Sequence, residues 1–186
     1  MTTYISILRG INVSGQKLIK MIDLQKTYEK LGFGSITTYV QSGNVVFTGK
    51  KAAPEKLAAS ITQQIAKDFG YQVPVIVFSM YALKQIIASN PFINDSEKDI
   101  AYLHVTFLSA PPPKFDVKAI EEKKQIGEAI AFTNAAVYLY CPNGYGKTKL
   151  TNNFLETKFQ VSATTRNWKT ANELARIADE IAFLNK

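Results

Sequence analysis

Ile36-Thr37-Thr38-Tyr39-Val40, then Gln41-Ser42-Gly43-Asn44, then Val45-Val46-Phe47-Thr48 stand in direct succession. β-Branched and aromatic residues fill the two outer stretches, and the middle holds the residues that tolerate positive φ. That pattern predicts a β-hairpin. Upstream, Met21, Leu24, Tyr28 and Leu31 recur at helical spacing, and Gly32 ends that helix. Before it, Tyr4 to Leu8 is a β-favouring run closed by Arg9-Gly10. Downstream, Pro54 suits the first turn of a helix with Leu57, Ile61, Ile65 and Phe69 as its buried stripe. Val73 to Phe78 reads as the next strand, with Pro74 at an edge or a strand end. The order β-α-β-β-α-β is that of a split βαβ, ferredoxin-like unit, with an antiparallel sheet and both helices on one face. Ser79 is placed to cap a further helix that buries Leu83, Ile86 and Ile87 and stops before Asn90-Pro91.

The second half reads as a variation on the first. Leu103 to Leu108 is a strand, and Asp116 caps a helix carrying Val117 and Ile120. Glu128 to Thr133 and Ala136 to Tyr140 form a second hairpin. Lys147 to Lys158 reads as a helix, and Gln160 to Thr164 as a short strand. A long final helix is striped by Trp168, Ala171, Leu174, Ala175, Ala178, Ile181 and Ala182. The expected fold is therefore α+β, two ferredoxin-like halves with antiparallel sheets plus a long C-terminal helix. The first half spans 1–90 and carries the added helix; the second spans 91–186.

The chain has 186 residues, 46% apolar and 20% charged, which is ordinary globular usage. No apolar run approaches a membrane span, and the N-terminal residues lack the pattern of a signal peptide. One cysteine, Cys141, permits no internal disulfide, and one histidine, His104, makes a Cys/His zinc site improbable. These features imply a cytoplasmic protein with no membrane partner, no metal and no cofactor. The net charge is +7, with ten Lys/Arg against four Asp/Glu in residues 1–90 and twelve against eleven thereafter. A basic first half favours phosphate-rich partners without naming one. Only Arg9, Arg166 and Arg176 are arginine among 22 basic residues. An arginine in a polar turn suggests use of its planar fork, and Arg9 and Arg166 fit that description.

Four polar segments carry the candidate chemistry. The first, Arg9 to Gly15, contains Arg9, Gly10 and Asn12. The second is the hairpin turn with Ser42, Gly43 and Asn44. The third, Pro142 to Lys149, contains Gly146, Lys147 and Thr148 before the expected helix. A P-loop would need glycine where Cys141 stands, so the nucleotide motif fails by spacing; an anion site at a helix N-terminus remains. The plain alternative is a glycine turn capped by Thr148. The fourth segment places Arg166, Asn167 and Trp168 at the start of the last helix. Arg166 offers a bidentate donor to phosphate or carboxylate. Trp168 either stacks on a ligand or begins the buried stripe. His104 lies in an alternating strand and reads as a satisfied structural imidazole. Cys141 reads as a buried thiol.

Together these segments resemble a bacterial family, the domain of unknown function 1697. The matching stretches are Leu8 to Val13, Met21 to Leu24, Thr38 to Phe47, Asn90 to Phe92, Asn143 to Leu150 and Ala163 to Thr170, in the expected order. Thr148 and Thr165 stand where the family more usually has serine and alanine. The resemblance implies a cytosolic protein with two ferredoxin-like α+β parts, and no particular activity.

Three functional readings follow. The first is an anion-binding module for nucleic acid or a nucleotide, with Lys17, Lys20, Lys147, Lys149 and Lys169 near the loops. The second is an enzyme on a small phosphorylated or carboxylated substrate, which lacks an evident nucleophile–base pair. The third is a protein-interaction module whose polar loops are architectural.

Overall fold

The computed structural model describes residues 1–185, and the hairpin is where the whole arrangement can be followed. Strands β2 (Gly34–Tyr39) and β3 (Asn44–Gly49) pair antiparallel, with Tyr39 opposite Asn44 and Thr37 opposite Val46. A bulge between Gly34 and Thr37 shifts the register. β3 pairs in turn with β1 (Thr2–Leu8), and β1 with β4 (Val75–Ser79), giving the order β2-β3-β1-β4. Helices α1 (Met21–Lys30) and α2 (Pro54–Phe69) connect these strands in the ferredoxin-like manner.

Sequence accounts for each element. Pro54 opens α2 at its first turn, and Gly70, at φ 73°, closes it by donating its N–H to the Ala66 carbonyl. Leu57, Ile61 and Ile65 of α2 and Leu24 and Tyr28 of α1 are buried against Tyr4, Leu8, Val45 and Phe47 of the sheet. Tyr28 packs edge-on to Phe47 at 5.3 Å, and its hydroxyl lies 2.6 Å from Ser6 Oγ. Burial drives that phenol well above its ordinary value, and the Ser6 hydrogen bond opposes it. Ile5 and Ile7 on the other face of β1 are also fully buried, so the central strand is covered on both faces. The expected strand from Val73 starts two residues later, because Pro74 has no N–H to give to a ladder.

The second sheet repeats the plan. Strands β5 (Leu103–Leu108), β6 (Ala129–Phe132), β7 (Ala136–Tyr140) and β8 (Ala163–Asn167) take the order β6-β7-β5-β8. This is the first order shifted by four strands. Helices α4 (Val117–Glu121) and α5 (Asn152–Phe159) bury Ile120, Leu155 and Phe159 against Leu108, Ile130, Val137, Leu139 and Ala163. Asp116 caps α4 through Ala119 N–H, as expected. Two expectations are corrected. α5 begins at Asn152, not Lys147, because residues 145–147 form one 3-10 turn, Thr148 is extended, and Thr151 supplies the cap. β8 begins at Ala163, not Gln160, because Gln160 takes the left-handed conformation that closes α5.

The chain clusters into two compact units, Met1–Lys84 with the segment from Glu173 onward, and Gln85–Asn172. Helices α3 (Met80–Ala88) and α6 (Trp168–Leu184) each contribute to both units. Ser79 caps α3 by accepting from Ala82 N–H. Lys186, where the expected second half ends, lies outside the described residues.

Candidate functional site

In the first unit, the end of β1, the β2–β3 turn and the start of β4 meet at one end of the sheet. Leu8 N–H donates to the Gly43 carbonyl at 2.8 Å, and Arg9 N–H to the Pro74 carbonyl at 2.9 Å. The first two polar segments are thereby brought together. Asn12 is the clasp between them. Its backbone is left-handed at φ 54°, which asparagine tolerates. Its Nδ2 donates to the Ile19 and Gln41 carbonyls, both at 2.9 Å, and its Oδ1 accepts from Ile19 N–H at 2.8 Å. One side chain thus closes the loop 12–19 and ties it to the hairpin.

Gly43 is a packing residue. At φ +77° a Cβ there would stand 2.7 Å from Leu8 Cβ and 2.7 Å from Ile11 Cδ1. Asn44 is fully buried, and its Nδ2 donates to the Tyr39 carbonyl and to Ser42 Oγ, each at 3.0 Å. Asn12, Gly43 and Asn44 therefore build the loops. At the surface lie Gly10, Val13, Ser14, Gly15, Gln16, Leu18 and Lys20, with Arg9 and Lys17 half-buried. Lys17 Nζ reaches the Gln72 carbonyl at 2.6 Å. Residues 1–22 contain Arg9, Lys17 and Lys20 and no acidic residue.

In the second unit, the third and fourth polar segments share the end of the sheet where β7 and β8 finish and β5 begins. Arg166 and Asn167 are the last residues of β8, opposite Val105 and His104, so they close a strand and do not open the helix. Asn167 then caps α6, its Oδ1 accepting Thr170 N–H at 2.8 Å. Trp168 is buried as the first helical residue, which takes the core side of its two expected roles. Thr148 is buried and accepts from Leu150 N–H. It caps no helix, and Gly146 and Lys147 sit in the 3-10 turn several residues before α5, so the expected helix-end geometry for Gly146, Lys147 and Thr148 is absent. Lys147 and Lys149 are exposed.

Arg166 is half-buried and donates through Nη1 to the Thr165 carbonyl at 2.9 Å. Burial pushes its guanidinium down to about 10, against a smaller opposite effect of Tyr145. Tyr145, from the third segment, stacks on His104 at 4.9 Å. His104 Nδ1 lies 3.1 Å from the Tyr102 carbonyl, and burial holds the imidazole below its ordinary value. This His104–Tyr145 contact is not legible in the sequence, because no local pattern sets the 3-10 turn at Tyr145 beside β5. Thr165 Oγ1 donates to Asn152 Oδ1 at 2.7 Å, which leaves Thr106 to donate to Thr165 across the strands.

Cys141 is fully buried, and burial with Glu128 nearby pushes its thiol up to about 12. No group of three metal-ligating side chains occurs among the described residues. No helix of the described residues is long and apolar enough to cross a membrane.

No curated protein matches this chain. A solved structure, that of a conserved bacterial protein from Streptococcus pneumoniae, is similar at a TM-score of 0.72 and 22% identity, over 95% of this chain and 98% of that one. That likeness carries the two-sheet fold. The pattern of the family described as a protein of unknown function (DUF1697) matches residues 1–138, and the chain belongs to that family.

Proposed function

We propose that this protein is an anion-binding module that takes the phosphates of a nucleic acid or nucleotide on its glycine- and asparagine-built loops. The observation that carries the reading is the loop of residues 9–20. Asn12 holds it in one conformation with three hydrogen bonds. It bears Arg9, Lys17 and Lys20 with no acid from residue 1 to 22. A pre-formed, acid-free basic loop meets a polyanion with little ordering cost. The second unit supports the same reading, since exposed Lys147 and Lys149 lie in a stretch, 129–155, without an acidic residue.

The test is a titration with single-stranded RNA, single-stranded DNA and mononucleotides at several salt concentrations. Three neutralised phosphates give a log–log salt slope of about −2, hence a roughly twentyfold loss between about 50 and 200 mM salt. Lys17→Ala and Lys20→Ala each flatten that slope by about 0.7. Binding of a mononucleotide alone assigns the loops to a small ligand. Absence of binding by every probe overturns the reading. A protein-interaction role is the second reading, favoured by Asn12, Asn44, Thr148 and Asn167, whose side chains all make internal hydrogen bonds.

A further inference from the structure

We infer that the outer edge of β2 is a self-association edge, where a second copy of this chain lays its own β2 antiparallel across a two-fold axis. Among the described residues β2 pairs with β3 alone, so it is an outer strand of its sheet. Outer strands are ordinarily guarded by charge, proline or shortness. The other three outer strands follow that rule. β4 is preceded by Pro74, β8 carries Arg166, and β6 has four residues and follows Glu128. β2 has no such guard: residues 31–49 contain no charged side chain and no proline. Its bulge lies at the Gly34 end and leaves Thr37 to Tyr39 in regular register.

Ile36-Thr37-Thr38-Tyr39 is also self-complementary. A two-fold axis normal to a sheet pairs residues on the same face, so it passes through a residue and not between two. Centred on Thr38, it sets Thr38 against Thr38 and Thr37 against Tyr39 twice. Centred on Thr37, it sets Thr37 against Thr37 alone, because Ile36 lies within the bulge. Thr–Thr and β-branched–aromatic pairs are favourable cross-strand neighbours, and no like charges meet in either register.

The net charge of +7 makes two copies repel, and this edge brings them together along their uncharged tract. The contact is short and its area lies below that of a permanent dimer, so the dimer is concentration-dependent. Added salt screens the repulsion and strengthens it. That is opposite in sign to the salt effect on polyanion binding, and it is measured without nucleic acid, so either proposal can fail alone.

Sedimentation from about 5 to about 500 µM tests the idea, spanning the range of weak dimers. The expected result is a monomer at the low end and a dimer at the high end, shifted toward dimer by salt. Thr37→Lys moves the midpoint at least tenfold toward monomer with an unchanged circular dichroism spectrum. Introduced cysteines give a second readout, because Cys141 is the only native one and is buried. Thr37→Cys or Thr38→Cys forms an intermolecular disulfide under mild oxidation, and Ala131→Cys on β6 does not. A monomer throughout the range overturns the proposal, as does cross-linking at Ala131 as fast as on β2.

Discussion

Gly43→Ala is expected to cost far more than a turn glycine usually does, and the structure says why. Gly43 has φ +77°, so any L side chain pays the left-handed penalty, about 1 kcal/mol. A Cβ there also lands 2.7 Å from both Leu8 Cβ and Ile11 Cδ1. Those neighbours are 0% and 1% exposed, so neither can swing into solvent. Overpacking of this kind adds about 1–3 kcal/mol, giving about 2–4 kcal/mol in all. Gly15 is the internal control. Its φ is +74°, and a Cβ there would meet nothing within 4 Å. Gly15→Ala therefore carries the backbone penalty alone, about 1 kcal/mol. Urea unfolding followed by far-UV circular dichroism measures both variants, with slopes compared to confirm the same transition. If Gly43→Ala falls within about 0.5 kcal/mol of Gly15→Ala, the loop relaxes freely and the close-packing argument fails.

Asn12→Ala removes three side-chain hydrogen bonds at about 1 kcal/mol net for each and puts alanine at φ 54°, which adds about 1 kcal/mol, so it should cost about 3–4 kcal/mol in the same urea experiment. Asn12→Asp keeps the acceptor for Ile19 N–H, loses both donations and should fall between Ala and the native residue. Cys141, with its thiol pushed up to about 12, should resist alkylation at pH 8 in the folded protein and react once the chain is unfolded in urea. His104 and Asp68 both contribute to the acid limb of stability. Burial holds folded His104 below its ordinary 6.5, so the unfolded chain takes up that proton first and stability falls as pH drops below about 6.5, an effect that His104→Gln should abolish. Asp68, lowered chiefly by its hydrogen bond from Lys30 and further by those from Thr27 and Gln64, contributes stability above the unfolded carboxylate value and loses it on further acidification; Asp68→Asn should remove that second step.

The elements were legible where a single local rule acted. Pro54 and Gly70 bracket α2, the Leu57–Ile61–Ile65 stripe buries as its spacing requires, and the Gln41–Asn44 turn joins two β-branched runs. The boundaries that shifted did so where two rules competed. Residues 147–158 hold enough helix formers for one helix, but Thr148 and Thr151 both bond to nearby backbone N–H groups, and the second wins the cap. Gln160 looks strand-compatible by composition, yet the chain needs a left-handed residue to end α5, and Gln160 takes that conformation. The duplication was legible only as element order, because sheet order depends on pairing across long separations that no local pattern encodes.

Residue type pointed to the polar loops, and tertiary contacts divide those residues into two kinds. Asn12, Gly43, Asn44 and Asn167 are spent on holding loops and helix ends. Lys17 and Lys20 in the first unit, and Lys147 and Lys149 in the second, hold half-buried or exposed positions on those loops. The two kinds have different signatures under mutation. A scaffold change such as Asn12→Ala lowers stability and, by loosening the loop, lowers polyanion affinity with it, while the salt slope keeps its value because the number of cations is unchanged. A surface change such as Lys20→Ala leaves the urea midpoint in place and lowers affinity together with the slope. Affinity and slope moving together in Asn12→Ala would mean that the loosened loop no longer brings all of its cations to phosphate, because the neutral Asn12 side chain adds nothing to the slope itself.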